Sequence, residues 1–249
     1  MRIELEVWRQ AGPNEKGRFE SYVLDDATPE MSLLELLDRL NQKLFDEGIE
    51  PIAFESDCRE GVCGACGVSV NDRPHGPVPN TPSCRQHLRA FGDTRKLRIE
   101  PFRAAGFSVV RDLIVDRSRL DDVIRAAGTV SVDAGTAPDA DDLLVSHEQA
   151  ENALDFAACI GCGACVAACP NGAAYLFGGA KLTHLAMIPH GAKERGLRAK
   201  KAAQVLDAEF GPCSSYGECV EVCPAGIPLT AVAAVNKERL RSFFRNKAD

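Results

Sequence analysis

Residues 159–170 read C-I-G-C-G-A-C-V-A-A-C-P: three thiols at Cys-x2-Cys-x2-Cys spacing, a fourth after three more residues, then Pro170. This spacing lets Cys159, Cys162 and Cys165 curl around three corners of a cubane iron-sulfur cluster, with Gly161 and Gly163 bringing the backbone close to the sulfides. Cys169 then points toward a different cluster. A second stretch, C-S-S-Y-G-E-C-V-E-V-C-P at residues 213–224, matches the first offset by offset. Cys213 falls on Cys159, Cys219 on Cys165, Cys223 on Cys169 and Pro224 on Pro170, while Tyr216 stands in the place of Cys162. In chains with two such runs the fourth Cys of each ligates the other cluster. Cys159, Cys162, Cys165 and Cys223 are therefore expected to hold a [4Fe-4S] cluster. Cys169, Cys213 and Cys219 are left with a cube one thiolate short. A phenol is a poor substitute for a soft thiolate on iron, so this centre is expected to be [3Fe-4S].

A third set precedes these: Cys58-R-E-G-V-Cys63-G-A-Cys66, followed after a loop by Cys84. Cys-x4-Cys-x2-Cys…Cys is the spacing of plant-type [2Fe-2S] centres. The eleven cysteines thus divide as four, four and three, with none left over. Zinc takes four ligands, usually as two Cys-x2-Cys pairs, which this triplet spacing does not form. Disulfides want an even count and an oxidising compartment.

The elements that must position these thiols are legible around them. Arg2 to Trp8 alternates polar and apolar at the period of a half-buried strand, and Gly12, Pro13, Asn14 and Gly17 turn the chain into a second strand, Phe19 to Leu24. Ser32 and Glu35 form a capping box that opens a helix from Leu33 to about Asp46, closed by Gly48. Strands are expected at Val68 to Val70 and Leu97 to Glu100, with a proline-rich loop holding Pro74, Pro77, Pro79 and Pro82 between them. This is the pattern of a β-grasp [2Fe-2S] ferredoxin domain, taken as residues 1–104. The remainder, 105–249, reads as an all-α, bacterial ferredoxin-like two-cluster domain, an α+β chain overall. Helices are expected over Ser118 to Ala127 and Ser146 to Ala158, the latter with a Ser146/Gln149 capping box, and over Leu229 to Lys247. Residues 128–142 read as an exposed connection.

The formal charge of −7 argues against a nucleic-acid partner. Up to Gln149 there are 18 basic and 27 acidic residues, or −9, leaving 11 and 9, or +2, in the rest. The back half is thus the better candidate to face a membrane surface. Lys237, Arg239, Arg241, Arg245 and Lys247, with Phe243 and Phe244, suit either the helix dipole or anionic headgroups. Residues 156–180 carry no charge, but four Cys, Pro170 and five Gly fit a cluster cradle better than a membrane span. The N-terminus opens directly on a strand pattern, so neither signal nor transit peptide is expected. His75, His87, His147, His184 and His190 are expected in surface or capping roles.

This combination, with C-R-E-G-V-C-G-A-C at residues 58–66, resembles the iron-sulfur subunit of bacterial succinate dehydrogenase and fumarate reductase along the whole chain. The resemblance implies one [2Fe-2S], one [4Fe-4S] and one [3Fe-4S] cluster, with no catalytic residue here. It implies a flavoprotein partner that carries FAD and interconverts succinate and fumarate, and one or more membrane anchor subunits that handle quinone. Electrons would run from flavin through the three centres to quinone, in respiration and the tricarboxylic acid cycle, with the chain peripheral on the cytoplasmic face of the cell membrane. A fumarate reductase subunit, the equivalent subunit of another flavin dehydrogenase and a free soluble carrier are the alternatives. Two features depart from the family: Gly172, Ala173, Ala174 and Ser214 occupy places where mitochondrial-like members carry quinone-site Trp and His, and the loop before Cys84 is long.

Tyr216→Cys restores the fourth thiol and should convert the incomplete cluster toward [4Fe-4S], abolishing the oxidised [3Fe-4S] EPR signal. Persistence of that signal in a fully iron-loaded variant would contradict the argument.

Overall fold

The computed structural model describes residues 1–129, 144–188 and 192–245. Ile3, Leu5 and Val7 point to one face of β1 (Ile3–Arg9) and are fully buried, so the alternation seen in the sequence places that face on a core. β2 (Arg18–Leu24) returns antiparallel, from Ile3 opposite Leu24 to Arg9 opposite Arg18. The capping box forms as expected: Ser32 Oγ accepts from Glu35 N–H at 3.2 Å, and Glu35 Oε2 accepts from Ser32 N–H at 2.6 Å. It opens α1 (Leu33–Asp46), whose Leu33, Leu36, Leu37, Leu40 and Leu44 pack on the same core. Behind α1 the chain makes β3 (Val68–Val70), β4 (Arg73–Pro74) and β5 (Lys96–Pro101). The sheet order is β2-β1-β5-β3-β4, with β5 parallel to β1. A five-stranded sheet curled over one helix is the β-grasp arrangement expected.

The insert between β3 and β5 is more than a loop. Fully buried Gln86 accepts from Val78 N–H and donates to the carbonyls of Val78 and Thr81, both at 3.0 Å, folding the proline-rich segment on itself. His75, expected at the surface, is instead 2% exposed. Its Nδ1 accepts from Ser83 N–H at 3.1 Å, and its ring stands edge-on to Phe102. Burial pushes its pKa down to about 3, so it is neutral at every physiological pH.

After β5 a hairpin, β6 (Val109–Arg111) and β7 (Ile114–Val115), precedes the helices. Its turn residue Asp112 is buried; its carboxylate accepts from Gln10 and Ala53 N–H, each at 2.9 Å, and lies 3.3 Å from Arg9 Nε. Then follow α2 (Ser118–Ala127), α3 (His147–Ala157), α4 (Ala164–Ala168), α5 (Tyr175–Met187), α6 (Ala192–Glu209), α7 (Glu218–Glu221) and α8 (Thr230–Arg245). α5 is the hub, packing on α2, α3, α6 and α8. A Cβ at Gly179 would lie 2.0 Å from Ala231 O, so only glycine lets α5 and α8 approach this closely. The α3 capping box is half formed: Ser146 Oγ accepts from Gln149 N–H, but the Gln149 amide donates to Met187 O. The last carbonyls of α5 have no partner within their own helix and compete for that donor.

Among the described residues no helix is long and apolar enough to cross a membrane. The expected connection over 130–142, His190 and the tail beyond 245 with Lys247 lie outside the described residues.

Leu37 has no exposed surface and sits at the centre of the β-grasp core. Leu37→Ala should lower unfolding stability of that core by roughly 2–5 kcal/mol. Urea denaturation checks this; a loss under about 1 kcal/mol would show that α1 repacks freely.

Candidate metal centres

All eleven thiols are free. In the loop from Cys58 to Cys66, Arg59, Gly61 and Gly64 take positive φ values of 56°, 88° and 74°. This left-handed coiling turns N–H groups inward: Cys58 Sγ accepts from Glu60 and Val62 N–H at 3.3 and 3.4 Å, and Cys63 Sγ from Ala65 N–H at 3.4 Å. These donors hold the Cys58 thiol down at about 7. Cys66 and Cys84 are buried side by side against Leu34 and Phe54. The hydrogen bond between them holds Cys84 down to about 6 and pushes Cys66 up. Thiolate character is thus favoured at Cys58 and Cys84.

The seven remaining thiols line two separate cavities. Cys159, Cys162, Cys165 and Cys223 surround one, walled by Ile160, Leu176, Phe177 and Ile227. Cys169, Cys213 and Cys219 face another with Tyr175, Tyr216, Leu229 and Val232. Leu176 belongs to both walls. The partition follows from a repeat in the backbone. Gly163 and Gly217, with φ of 86° and 91°, start α4 and α7, and these two short helices pack together. Asn171 Nδ2 fastens the two runs, donating to Pro212 O at 2.9 Å and Ser214 Oγ at 2.8 Å. Each run therefore delivers its last thiol into the other's cavity, as the offsets predict.

The donor chemistry fits iron-sulfur clusters. Burial pushes Cys162 up to about 12 and Cys165 well above its ordinary value; burial, then the neighbouring Cys169 and Cys213, raise Cys219 to about 11. Isolated thiolates are costly in such walls, so Cys162, Cys165 and Cys219 keep their protons until a cationic centre takes the proton's place. Among the described residues no three His, Cys, Asp or Glu converge as a single ion requires. Instead the thiols are spread around cavities, as a polynuclear cluster needs and tetrahedral zinc does not. Tyr216 lines the second cavity but is 62% exposed, its phenol at the rim.

His184 lines neither cavity; its Nδ1 lies 2.9 Å from Ala153 O and ties α5 to α3. Three site residues have no motif to reveal them. Lys181 donates to Cys159 O at 3.1 Å, Ser83 supports the Cys84 turn through His75, and Arg117 reaches the peptide carbonyls beside two thiol sets. Leu176 did carry a signal, since it falls in the uncharged stretch 156–180.

Comparison with known proteins agrees with this geometry. A model of a 2Fe-2S iron-sulfur cluster binding domain matches residues 4–122, and one of a 4Fe-4S dicluster domain matches residues 158–227. The succinate dehydrogenase iron-sulfur subunit of Bacillus subtilis is 31% identical over 209 residues, covering 80% of this chain and 77% of that protein. The fumarate reductase iron-sulfur subunit of Haemophilus influenzae is 30% identical, covering 85% and 81%. One of the subunits of the fumarate reductase (CoM/CoB) of Methanothermobacter marburgensis is 28% identical across 97% of this chain but only 44% of its own length. A chain of the Mycobacterium smegmatis Sdh1 complex in the apo form has the same fold, with TM-score 0.71 and 22% identity over 100% of this chain and 98% of that one. With its three thiol sets arranged as described, the chain belongs to the family of iron-sulfur subunits of succinate dehydrogenase and fumarate reductase.

Proposed function

We propose that this chain is the electron-transfer subunit of a membrane-bound succinate dehydrogenase, carrying electrons from a succinate-oxidising flavoprotein to quinone. Cys58, Cys63, Cys66 and Cys84 would hold a [2Fe-2S] cluster, Cys159, Cys162, Cys165 and Cys223 a [4Fe-4S] cluster, and Cys169, Cys213 and Cys219 a [3Fe-4S] cluster. When bound, such centres supply one-electron donors and acceptors at fixed positions. The observation that carries the reading is the division of seven thiols, four and three, between two cavities that share Leu176 as a wall.

The chain's own residues then do three things. Backbone N–H groups of Glu60, Val62, Ala65 and Ile227 donate to cysteine sulfurs, which favours the more negative, reduced state. Leu176, Phe177, Ile227 and Val232 keep water from the inner thiols and lower the local dielectric. The outermost elements leave contact points for partners. Val62, in the first cysteine loop, is 69% exposed on the side proposed to meet the FAD-bearing flavoprotein. Exposed Tyr216 and Leu229 lie at the rim proposed to meet a membrane anchor with its quinone, the chain sitting peripherally on the cytoplasmic face. No acid-base or nucleophilic group is required of this chain, because succinate would be oxidised on the partner.

A second reading, the equivalent subunit of a thiol-linked fumarate reductase, is favoured by the alignment with the Methanothermobacter protein over 97% of this chain.

Succinate discriminates between them. In the complex purified with its partners and oxidised in air, adding succinate should abolish the [3Fe-4S] EPR signal. A signal indifferent to succinate but removed by a dithiol donor would replace the first reading with the second.

A further inference from the structure

Arg117 stands in the turn between β7 and α2, more than forty positions from any cysteine that it touches, yet it joins two thiol sets. Its Nη1 donates to Gly64 O at 2.6 Å and to Cys162 O at 3.3 Å; Nη2 donates to Glu55 Oε2 at 2.7 Å and to Ala65 O at 3.5 Å. Gly64 and Ala65 are the residues between Cys63 and Cys66, and Cys162 belongs to the first cubane run. The two loops also touch directly. A Cβ at Gly64 would lie 2.4 Å from Ile160 O and 3.1 Å from Cys162 N, and the backbone there has φ +74°. The Arg117 side chain is 21% exposed, so its charge is partly desolvated, and Glu55 neutralises it from the outer side.

Building on the cluster assignment above, we propose that Arg117 is a positioning residue for electron transfer between the [2Fe-2S] and [4Fe-4S] centres. A planar fork with five donors can bind carbonyls on both loops at once; the ammonium of a lysine, a point charge on a flexible stem, cannot span them in the same way. The fork fixes the loop contact, and the positive charge beside both sets favours the reduced state of each. In the step it serves, one electron is lost on the Cys63 side and one gained on the Cys162 side, with no atom or proton exchanged. Separation and relative potential therefore set its rate, and Arg117 bears on both.

The test uses the complex with its partners, in Arg117→Gln and Arg117→Lys variants. Potentiometric EPR gives the reduction equilibrium of each centre, and line broadening gives the magnetic interaction between the two when both are reduced. Arg117→Gln should disfavour reduction of both centres by roughly tenfold, ~59 mV for a one-electron couple, and weaken their interaction. Arg117→Lys should recover the potentials but not the interaction. Unchanged potentials and interaction in Arg117→Gln would overturn the proposal, as would full recovery of the interaction in Arg117→Lys. Should Arg117→Gln fail to assemble, Arg117→Lys decides: recovered potentials with a weakened interaction support the positioning role. Absence of both EPR signals from the unsubstituted complex would instead refute the cluster assignment itself.

Discussion

Two short helices, α4 and α7, pack against each other so that the last thiol of each cysteine run turns into the other's cavity. Most of the back half serves that crossing. Left-handed glycines at 163 and 217 start both helices, Asn171 ties one run to the other, and α5 supplies the wall that both cavities share. α5 can sit there only because Gly179 lets it press against Ala231 of α8. Its nine buried residues make it an apolar hub rather than an amphipathic surface helix.

The front half is held to this scaffold by backbone contacts as well as side chains. Gly64 meets the Ile160 carbonyl, Arg73 donates to Glu221 O at 2.8 Å, and Asn80 of the proline-rich insert packs beside Gly226, three residues after Cys223. Asp112 pulls the β6–β7 hairpin onto the end of β1. The thiol sets are thus fixed relative to one another by contacts at several points, as short-range electron transfer requires.

Much of this was legible in the sequence, and what was not has a physical reason. The Ser32/Glu35 box and the helix that it opens are local signals, and both are present in the structure. The cysteine offsets gave the partition of seven thiols because the repeat they encode is also a repeat of the backbone. Gln149 had the right spacing for a capping box, but a distant carbonyl, Met187 O, won its amide. His75 looked like a surface residue of a loop, whereas Ser83 and Phe102 enclose it, contacts that no pattern in the chain announces. Arg117 is the extreme case: every carbonyl it binds lies more than forty positions away, so nothing near it in sequence marks it. Long-range polar contacts of this kind are set by the fold, not by periodicity.

EPR on Cys223→Ala in the assembled complex decides whether the fourth thiol of each run serves the other run's cluster. The crossed arrangement predicts loss of the [4Fe-4S] signal under strong reduction while the oxidised [3Fe-4S] signal remains. Loss of the [3Fe-4S] signal with the [4Fe-4S] signal intact would contradict it.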